Sequence, residues 1–332
     1  MELKKNVILL SARNFGDAII ANTVAKNIGR NNLYNVSVIT KKEYKEIFEA
    51  NAYIKKCYYT SLPIASNKSY DIVDFFKSIK TIRTEQFDIG LDLMGDFRER
   101  IILKFINPKE IFSLERMGDN PYNNLIRKGM GNICKKINVP ENVVNVYESM
   151  QYLYKEMKVD EVLDERQYLE NNTIGIHPFA SQECRMWPWE YWEEIIDNLL
   201  ANKYKIKLFC TRKERDILQS NISEYKKCCI VSGGLQFFFE NMKTCNMVVC
   251  LDSFAYHAAY SLGVPTLMLN GANDYRIWKT PNSYVLLSET KCPYWPCFNK
   301  PVCKNYDCIH DIKPKEVMKA IKRMMGRNNN EF

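Results

Sequence analysis

The sequence predicts an α/β protein made of two parallel-sheet domains that face a central cleft. Its 332 residues exceed what one ordinary hydrophobic core holds and suit two domains of about 150 to 170 residues. Short runs rich in Val, Ile and Leu alternate with amphipathic stretches, which is the pattern of parallel β-α-β units. The pattern restarts near residue 170. We therefore expect domains at 1–165 and 166–332, with the last helix packing back on the N-terminal domain.

Each half has its own series of strands and helices. In the first half, strand patterns fall at 6–11, 35–40, 56–60 and 87–92, and helical periodicity covers 18–28 and 70–84. A charged helical connector spans 148–164. The second half predicts buried strands at 173–177, 205–210, 228–232, 247–251 and 266–269, with helices at 189–202, 212–225, 235–244 and 254–262. Ligands of such sheets bind beyond the carboxyl ends of the strands, so we expect the chemistry in the following loops.

The composition excludes several classes of protein. No stretch approaches the ~18 to 20 consecutive apolar residues that cross a bilayer, and no segment has the pattern of a secretory signal, so we expect a cytoplasmic protein. The net charge is +8, and 98–136 holds nine basic residues against four acidic ones. This basic segment is either a solvated face or suits an anionic partner. We do not expect a nucleic acid partner, because no recognition motif with interleaved aromatics accompanies the charge.

Several familiar nucleotide and metal motifs are missing. The sequence has no G-x-G-x-x-G, no Walker A and no Asp-x-Asp pair, which argues against a dinucleotide dehydrogenase, a P-loop enzyme and carboxylate-held Mg²⁺. Most of the twelve cysteines are scattered, and only Cys292, Cys297, Cys303 and Cys308 cluster. A metal site there is one interpretation, and free thiols that hold a small loop are the other. We expect no cofactor.

Three loops after predicted strands carry candidate chemistry. Asp17 follows the first strand and begins a helix, where it is either a plain N-cap or a base that accepts a proton from a hydroxyl. Arg185, in the loop after 173–177, is either a surface arginine or holds two phosphate oxygens. Asp252 or Ser253 caps the helix that follows 247–251, whose free N–H groups form an anion site. His257 in its first turn is a core histidine or faces the same anion, and the combination favours a diphosphate site.

These motifs resemble the ADP-heptose:lipopolysaccharide heptosyltransferases, glycosyltransferase family 9, over nearly the whole chain. The resemblance involves 13–17, 87–98 and 181–192. It is most specific in 252–259, followed by Gly-Val-Pro-Thr and by Gly-Ala-Asn-Asp-x-x-x-Trp at 271–278. The resemblance implies the GT-B fold, with two Rossmann-like domains, of which the first binds the acceptor and the second binds the sugar nucleotide.

The resemblance also implies roles for individual residues. Asp17 matches the catalytic base, and we assign Arg13 and Arg98 to the acceptor. The donor residues that follow from the match are Ser181 and Arg185 at the phosphates, Glu214 at the nucleoside, and Asp252, Ser253 and His257 at the sugar and diphosphate. Phe254 and Cys210 stand where the family usually has glycine.

The implied reaction is an inverting, metal-independent transfer of heptose from ADP-heptose to a lipopolysaccharide core or a related surface glycan. We expect the enzyme to meet this anionic glycolipid at the inner face of the cell membrane. The alternatives are a GT-B transferase with a different nucleotide-sugar donor, a sugar-nucleotide epimerase, and a non-catalytic binding protein of the same fold.

Overall fold

The computed structural model describes residues 3–62, 71–115, 134–162, 169, 171–298 and 301–326. By its internal contacts the chain divides into two compact units, Met1–Val162 and Leu163–Phe332. Each unit is a parallel sheet with helical connections, as the sequence predicts, and each sheet has six strands. Within the described ranges, no helix is both long and apolar enough to cross a membrane.

The first unit has the strand order β3-β2-β1-β4-β5-β6, and each pair of neighbouring strands is parallel. Its elements are β1 Lys5–Ser11, α1 Phe15–Arg30, β2 Tyr34–Thr40, α2 Lys45–Glu49, β3 Ile54–Tyr59, α3 Ile72–Arg83, β4 Ile89–Asp92, α4 Phe97–Ile106, β5 Glu110–Glu115, β6 Lys135–Asn138 and α5 Val146–Met157. The chain moves outward in one direction from β1 to β3 and in the other from β4 to β6. The loops after β1 and β4 therefore meet at the point where the strand order reverses, where such sheets bind ligands.

The second unit repeats this topology, with the order β12-β11-β10-β7-β8-β9. Its elements are β7 Thr173–His177, α6 Trp189–Ala201, β8 Lys205–Phe209, α7 Arg215–Asn221, β9 Cys229–Val231, α8 Leu235–Lys243, β10 Met247–Leu251, α9 Phe254–Ser261, β11 Thr266–Asn270, α10 Tyr275–Trp278, β12 Ser283–Leu287, α11 Asp307–His310 and α12 Pro314–Met325. Here the reversal falls between β7 and β10. The last helix, α12, contacts α6 of its own unit.

Both faces of the second sheet are buried, which explains the continuous apolar runs in its strands. Along β10, Val249 and Leu251 belong to the apolar cluster that includes α6 and α12, whereas Val248 and Cys250 belong to the cluster with α8 and α9. Successive side chains of a strand point to opposite faces, so a strand that is covered on both sides needs apolar residues on both faces. Trp187 and Trp192 are buried in the first cluster as packing residues.

The nine predicted strands are present within two residues of their expected bounds, but the sequence analysis missed β5, β6 and β12. β6 and β12 lie at sheet edges, where exposed positions interrupt the apolar run that served as the signal. The helix predicted at 212–225 is also wrong in extent. Extended Ile222 (φ −122°, ψ 107°) ends α7 and is followed by a 3-10 turn at Ser223–Lys227. Pro188 is the N-cap of α6.

Candidate active site

Asp17 and Arg13 lie at the junction between β1 and α1, and both are half-buried. Asn14 adopts an extended conformation (φ −103°, ψ 169°) and is the N-cap of α1. Its backbone N–H donates to Asp17 Oδ2 at 3.2 Å, one arm of a capping box. The Asp17 carboxylate is thus held in the first helical turn, where free N–H groups and the helix dipole favour a negative charge. The N-cap is therefore Asn14 and not Asp17, which is the acidic member of the capping box and places its carboxylate at the reversal point of the sheet.

The loop after β4 carries a second group of charged side chains. Asp92 is fully buried, and its Oδ2 accepts hydrogen bonds from Arg100 Nε at 2.9 Å and from Ser113 Oγ at 2.7 Å. Asp96 caps α4 by accepting from the Arg98 N–H at 2.9 Å, and it also pairs with the Arg98 guanidinium, with Nη2 and Oδ2 2.6 Å apart. These two pairs fix the loop through charge-assisted hydrogen bonds.

Glu99 differs from its neighbours because its carboxyl group is buried without an ion pair among the described residues. The residue is 1% exposed, and Oε2 has no hydrogen-bond partner in the part of the chain that the structure describes. Burial, and then the adjacent Asp92 carboxylate, raise the pKa of Glu99 well above its ordinary value, although Arg13 opposes the shift. Glu99 lines a small cavity together with Ser11, Arg13 and Asp17.

The described part of the basic segment 98–136 is less cationic at the surface than its sequence suggests. Arg100, one of the nine basic residues, is 1% exposed and neutralised by Asp92, so it is a structural ion pair and not part of a surface patch. Lys109 and Lys135 pair with Asp88 at 2.8 Å and with Glu156 at 2.6 Å. Three other members, Arg116, Arg127 and Lys128, lie outside the described residues. The expectation of a solvated basic patch is therefore wrong for Arg100, because sequence composition does not reveal pairing.

In the second unit, Arg185 connects the loops after β7 and β10. Its Nη1 donates to the Asp252 backbone carbonyl at 3.0 Å, and its Nη2 donates to Ser181 Oγ at 2.5 Å. The Asp252 carboxylate lies 3.8 Å from Nη1, and the Arg185 side chain is only 13% exposed. Because Arg185 is immobilised by two loops at the reversal point, its guanidinium is preorganised to meet an anion.

Only Asp252 and Ser253 separate the end of β10 from the beginning of α9. Ser253 is the N-cap of α9, but its hydroxyl lies 3.4 Å from His177 Nδ1 and makes no side-chain capping bond to the helix. The Asp252 carboxylate accepts a hydrogen bond from Asn273 Nδ2. His257 is 7% exposed, and its ring packs edge-on against Trp278, with centroids 5.7 Å apart. The first-turn N–H groups of α9 therefore lie beside Arg185, in the kind of setting that binds phosphates.

Glu214 and His177 lie at the carboxyl ends of the two neighbouring strands. Glu214 is the N-cap of α7 and is half-buried, and its Oε2 accepts from the Thr211 N–H at 2.7 Å. Burial lowers the pKa of His177 to about 4, and the negative charge of Glu214 opposes that shift. His177 is therefore neutral at physiological pH, so the cationic group of this site is Arg185.

The structure brings Ser181, Arg185, Asp252 and Ser253 together, with Asn273 bonded to Asp252. Within the other unit it brings Arg13, Asp17 and Glu99 to one cavity. The sequence pattern gave Asn273 no role of its own, although 271–278 is part of the resemblance, and it did not indicate Ser11 or Glu99. Two features of the sequence could have indicated these residues: Ser11 is a polar residue at the end of an apolar strand, and Glu99 lies between two arginines.

The clustered cysteines form no metal-holding group within the described residues. All are free thiols, and Cys184 from the β7–α6 loop joins them, with its Sγ 3.7 Å from the Phe298 carbonyl oxygen. Burial raises the pKa of Cys308 to about 12, and the neighbouring thiols add to the shift. The thiol form is therefore favoured for Cys308 at neutral pH.

The family model described as glycosyltransferase family 9 (heptosyltransferase) matches residues 75–306, more than two thirds of the chain. The chain belongs to glycosyltransferase family 9. This family-9 glycosyltransferase contains Arg98, Glu99 and the whole site of the second unit within the matched segment, whereas Arg13 and Asp17 precede it. A comparison with curated protein sequences finds no significant match.

Solved structures of family members have the same fold as this family-9 glycosyltransferase. A family-9 glycosyl transferase from Veillonella parvula is 15% identical with a TM-score of 0.75, covering 98% of both chains. ADP-heptose lps heptosyltransferase II of E. coli is 15% identical with a TM-score of 0.69, covering 97% of this chain and 98% of its own. The E. coli heptosyltransferase WaaC with ADP-2-deoxy-2-fluoro heptose is 13% identical with a TM-score of 0.72, covering 96% and 99%. The GT-B prediction is confirmed.

Proposed function

We propose that this glycosyltransferase moves heptose from ADP-heptose to a lipopolysaccharide core or a related surface glycan, with inversion at the anomeric carbon. The observation that carries the proposal is Arg185, which is held by Ser181 and Asp252 beside the N-terminus of α9. This arrangement suits a diphosphate leaving group. The lipid-linked acceptor would bring the enzyme to the inner face of the cell membrane.

The second unit supplies the donor site in this proposal. As the bond between the anomeric carbon and the diphosphate breaks, its electron pair passes to the diphosphate, where negative charge grows. Arg185, Ser181 and the free N–H groups of α9 are already oriented and would stabilise this charge without reorganisation. Glu214, at the next strand end, is assigned to the nucleoside, and Asp252, Ser253 and His257 to the sugar and diphosphate. ADP and a fluorinated ADP-heptose occupy solved structures of WaaC, which supports ADP-heptose as the donor.

The first unit supplies the base and the acceptor site. Asp17 takes the proton of an acceptor hydroxyl as that oxygen forms its bond to the anomeric carbon, which gives inversion in a single displacement. A carboxylate at a helix N-terminus remains available as a proton acceptor near neutral pH. Arg13 lines the same cavity as Asp17, and Arg98 pairs with Asp96 in the loop after β4. We assign both arginines to the acceptor.

The proposal includes metal independence. The charge on the leaving diphosphate is matched by Arg185 and by the α9 N-terminus, so the chain itself supplies the positive charge that Mg²⁺ supplies in other transferases. The sequence also lacks the Asp-x-Asp pair that commonly holds such an ion. Transfer in the presence of excess EDTA should therefore proceed at the rate seen without it, and a loss restored by Mg²⁺ or Mn²⁺ would contradict this part.

A panel of nucleotides and sugar nucleotides tests the donor. A ligand at about 100 times its Kd stabilises the folded state by about 2.7 kcal/mol, which raises the melting temperature by several degrees. ADP and ADP-heptose should raise it clearly more than UDP or GDP at equal concentration. Mass spectrometry should then detect heptose added to a heptose-deficient core oligosaccharide. A preference for UDP would overturn the donor, and donor conversion without an acceptor to an isomeric sugar nucleotide would indicate an epimerase.

A further inference from the structure

Two buried polar atoms near Asp17 have no hydrogen-bond partner within the described ranges, namely Ser11 Oγ and Glu99 Oε2. Ser11 is 4% exposed and Glu99 is 1% exposed. Polar atoms buried to this degree nearly always have a partner in a folded protein, because leaving one unpaired costs free energy. Both residues line the cavity that Arg13 and Asp17 also line. The cavity is therefore lined by polar atoms that are able to bond a ligand.

The size of the cavity limits what it takes. Its volume is about 10 Å³, which is on the order of the space that one water-sized group needs. The rest of its wall comes from apolar side chains and backbone, including Leu10, Ala21 and Leu93. A single hydroxyl group fits this space, whereas a phosphate group does not.

The charges around the cavity favour a neutral group as well. The Glu99 carboxyl faces the carboxyl groups of Asp92, Asp96 and Asp17 and the guanidinium of Arg13. Because burial and Asp92 keep Glu99 in its acid form, its O–H is available as a hydrogen-bond donor. A carboxylate such as that of the proposed base Asp17 only accepts hydrogen bonds, and a serine hydroxyl both donates and accepts. This combination complements a hydroxyl, and any phosphate or carboxylate of the acceptor has to bind outside the cavity.

We propose that Ser11 and Glu99 position the nucleophilic hydroxyl of the acceptor beside Asp17, an assignment that rests on the proposed role of Asp17 as the base. The hydroxyl donates its hydrogen to Asp17, and its oxygen accepts a hydrogen bond from the Glu99 O–H. The second lone pair of that oxygen attacks the anomeric carbon. The proton passes to Asp17, the new C–O bond forms, and the diphosphate leaves with the electron pair of the broken bond. Glu99 keeps its own proton throughout.

Kinetics of Glu99→Leu and Glu99→Gln test the positioning role. With ADP-heptose and a heptose-deficient core oligosaccharide, Glu99→Leu should lower kcat/KM for the acceptor by about 10- to 100-fold, because one hydrogen bond is lost. The KM for the donor should stay within twofold of the wild-type value. Glu99→Gln retains an N–H donor and should lose less than about fivefold. Ser11→Ala should raise the acceptor KM severalfold.

Thermal unfolding separates positioning from a structural role. Glu99→Leu removes a buried, unpaired carboxyl group and should not lower the melting temperature. Asp92→Asn is the matched control, because it breaks the buried pair with Arg100 and should lower the melting temperature clearly. The proposal is wrong if Glu99→Leu retains wild-type acceptor kinetics, or if it loses thermal stability and donor affinity together.

A crystal structure of the unliganded protein tests the site without any acceptor. A water molecule should occupy the cavity, hydrogen-bonded to Ser11 Oγ and Glu99 Oε2. Finding both atoms bonded to other protein groups, with the cavity closed, would overturn the proposal. If the wild-type protein forms no heptosylated product but the water is present, the proposed function fails while the polar cavity stands.

Discussion

Replacement of Arg185 by alanine should weaken ADP binding far more than it weakens the fold. The guanidinium is fixed by the Asp252 carbonyl at 3.0 Å and by Ser181 Oγ at 2.5 Å, while its Nε is buried and lacks a hydrogen-bond partner among the described groups. An arginine held in this way has already lost its side-chain entropy before the ligand binds. Its hydrogen bond to a phosphate therefore contributes nearly its full free energy to binding.

The size of the effect follows from the bonds that are lost. A hydrogen bond to a charged group contributes about 1.5 to 3 kcal/mol, and about 1.4 kcal/mol corresponds to a factor of ten in Kd. Arg185→Ala should therefore raise the Kd for ADP by about 10- to 150-fold. Arg185→Lys keeps the positive charge but loses the planar fork of donors, so its loss should be near the lower end of that range.

Isothermal titration calorimetry with ADP measures these values directly. Arg276→Ala is the control, because Arg276 is an arginine of the same unit whose side chain is 58% exposed and pairs with Asp274 at 2.7 Å. The control should bind ADP within twofold of the wild type. If Arg185→Ala also binds within threefold, the guanidinium does not contact the diphosphate and the assignment is refuted.

Two further predictions concern stability. Burial lowers the pKa of His177 to about 4. The unfolded chain therefore binds a proton at this residue below about pH 6.5, whereas the folded chain does so only near pH 4. As a result, the free energy of unfolding decreases as the pH is lowered. Between pH 7 and pH 5 this group should remove about 2 kcal/mol from the unfolding free energy, a loss that urea titrations should find missing in His177→Asn. Gly29→Ala would put a Cβ 2.3 Å from the Tyr53 carbonyl oxygen and should destabilise the protein by about 1 to 3 kcal/mol. An unchanged urea midpoint would contradict that contact.

The parallel sheets were predictable because their central strands are buried on both faces and form continuous apolar runs. The placement of the residues at the reversal points was predictable for the same reason, since Asp252 follows such a strand directly and Asp17 and Arg185 lie in the loops after two others. Of the four edge strands, β6 and β12 were missed because exposed positions break the apolar run, whereas β3 and β9 were predicted. Local periodicity therefore identifies the strands at the centre of a sheet better than those at its edges.

Pairing between distant residues was not predictable. Arg100 counts as positive charge in the sequence, yet its partner Asp92 is fully buried beside it in the folded chain. Glu99, one residue away, is buried without such a partner in the part of the chain that the structure describes, and no spacing rule distinguishes the two. Composition indicates how much charge a segment carries, whereas only the fold reveals which charges remain for a ligand.

The measurement that tests the account most directly is the activity of Asp17→Asn. Asparagine preserves the size of the side chain but cannot take the proton of the acceptor, and positioned general bases contribute about 10²- to 10⁴-fold to rate. Product formation from ADP-heptose, followed by mass spectrometry, should fall by that factor while the Kd for ADP stays within twofold of the wild-type value. Undiminished transfer by Asp17→Asn would contradict the account of Asp17 as the catalytic base.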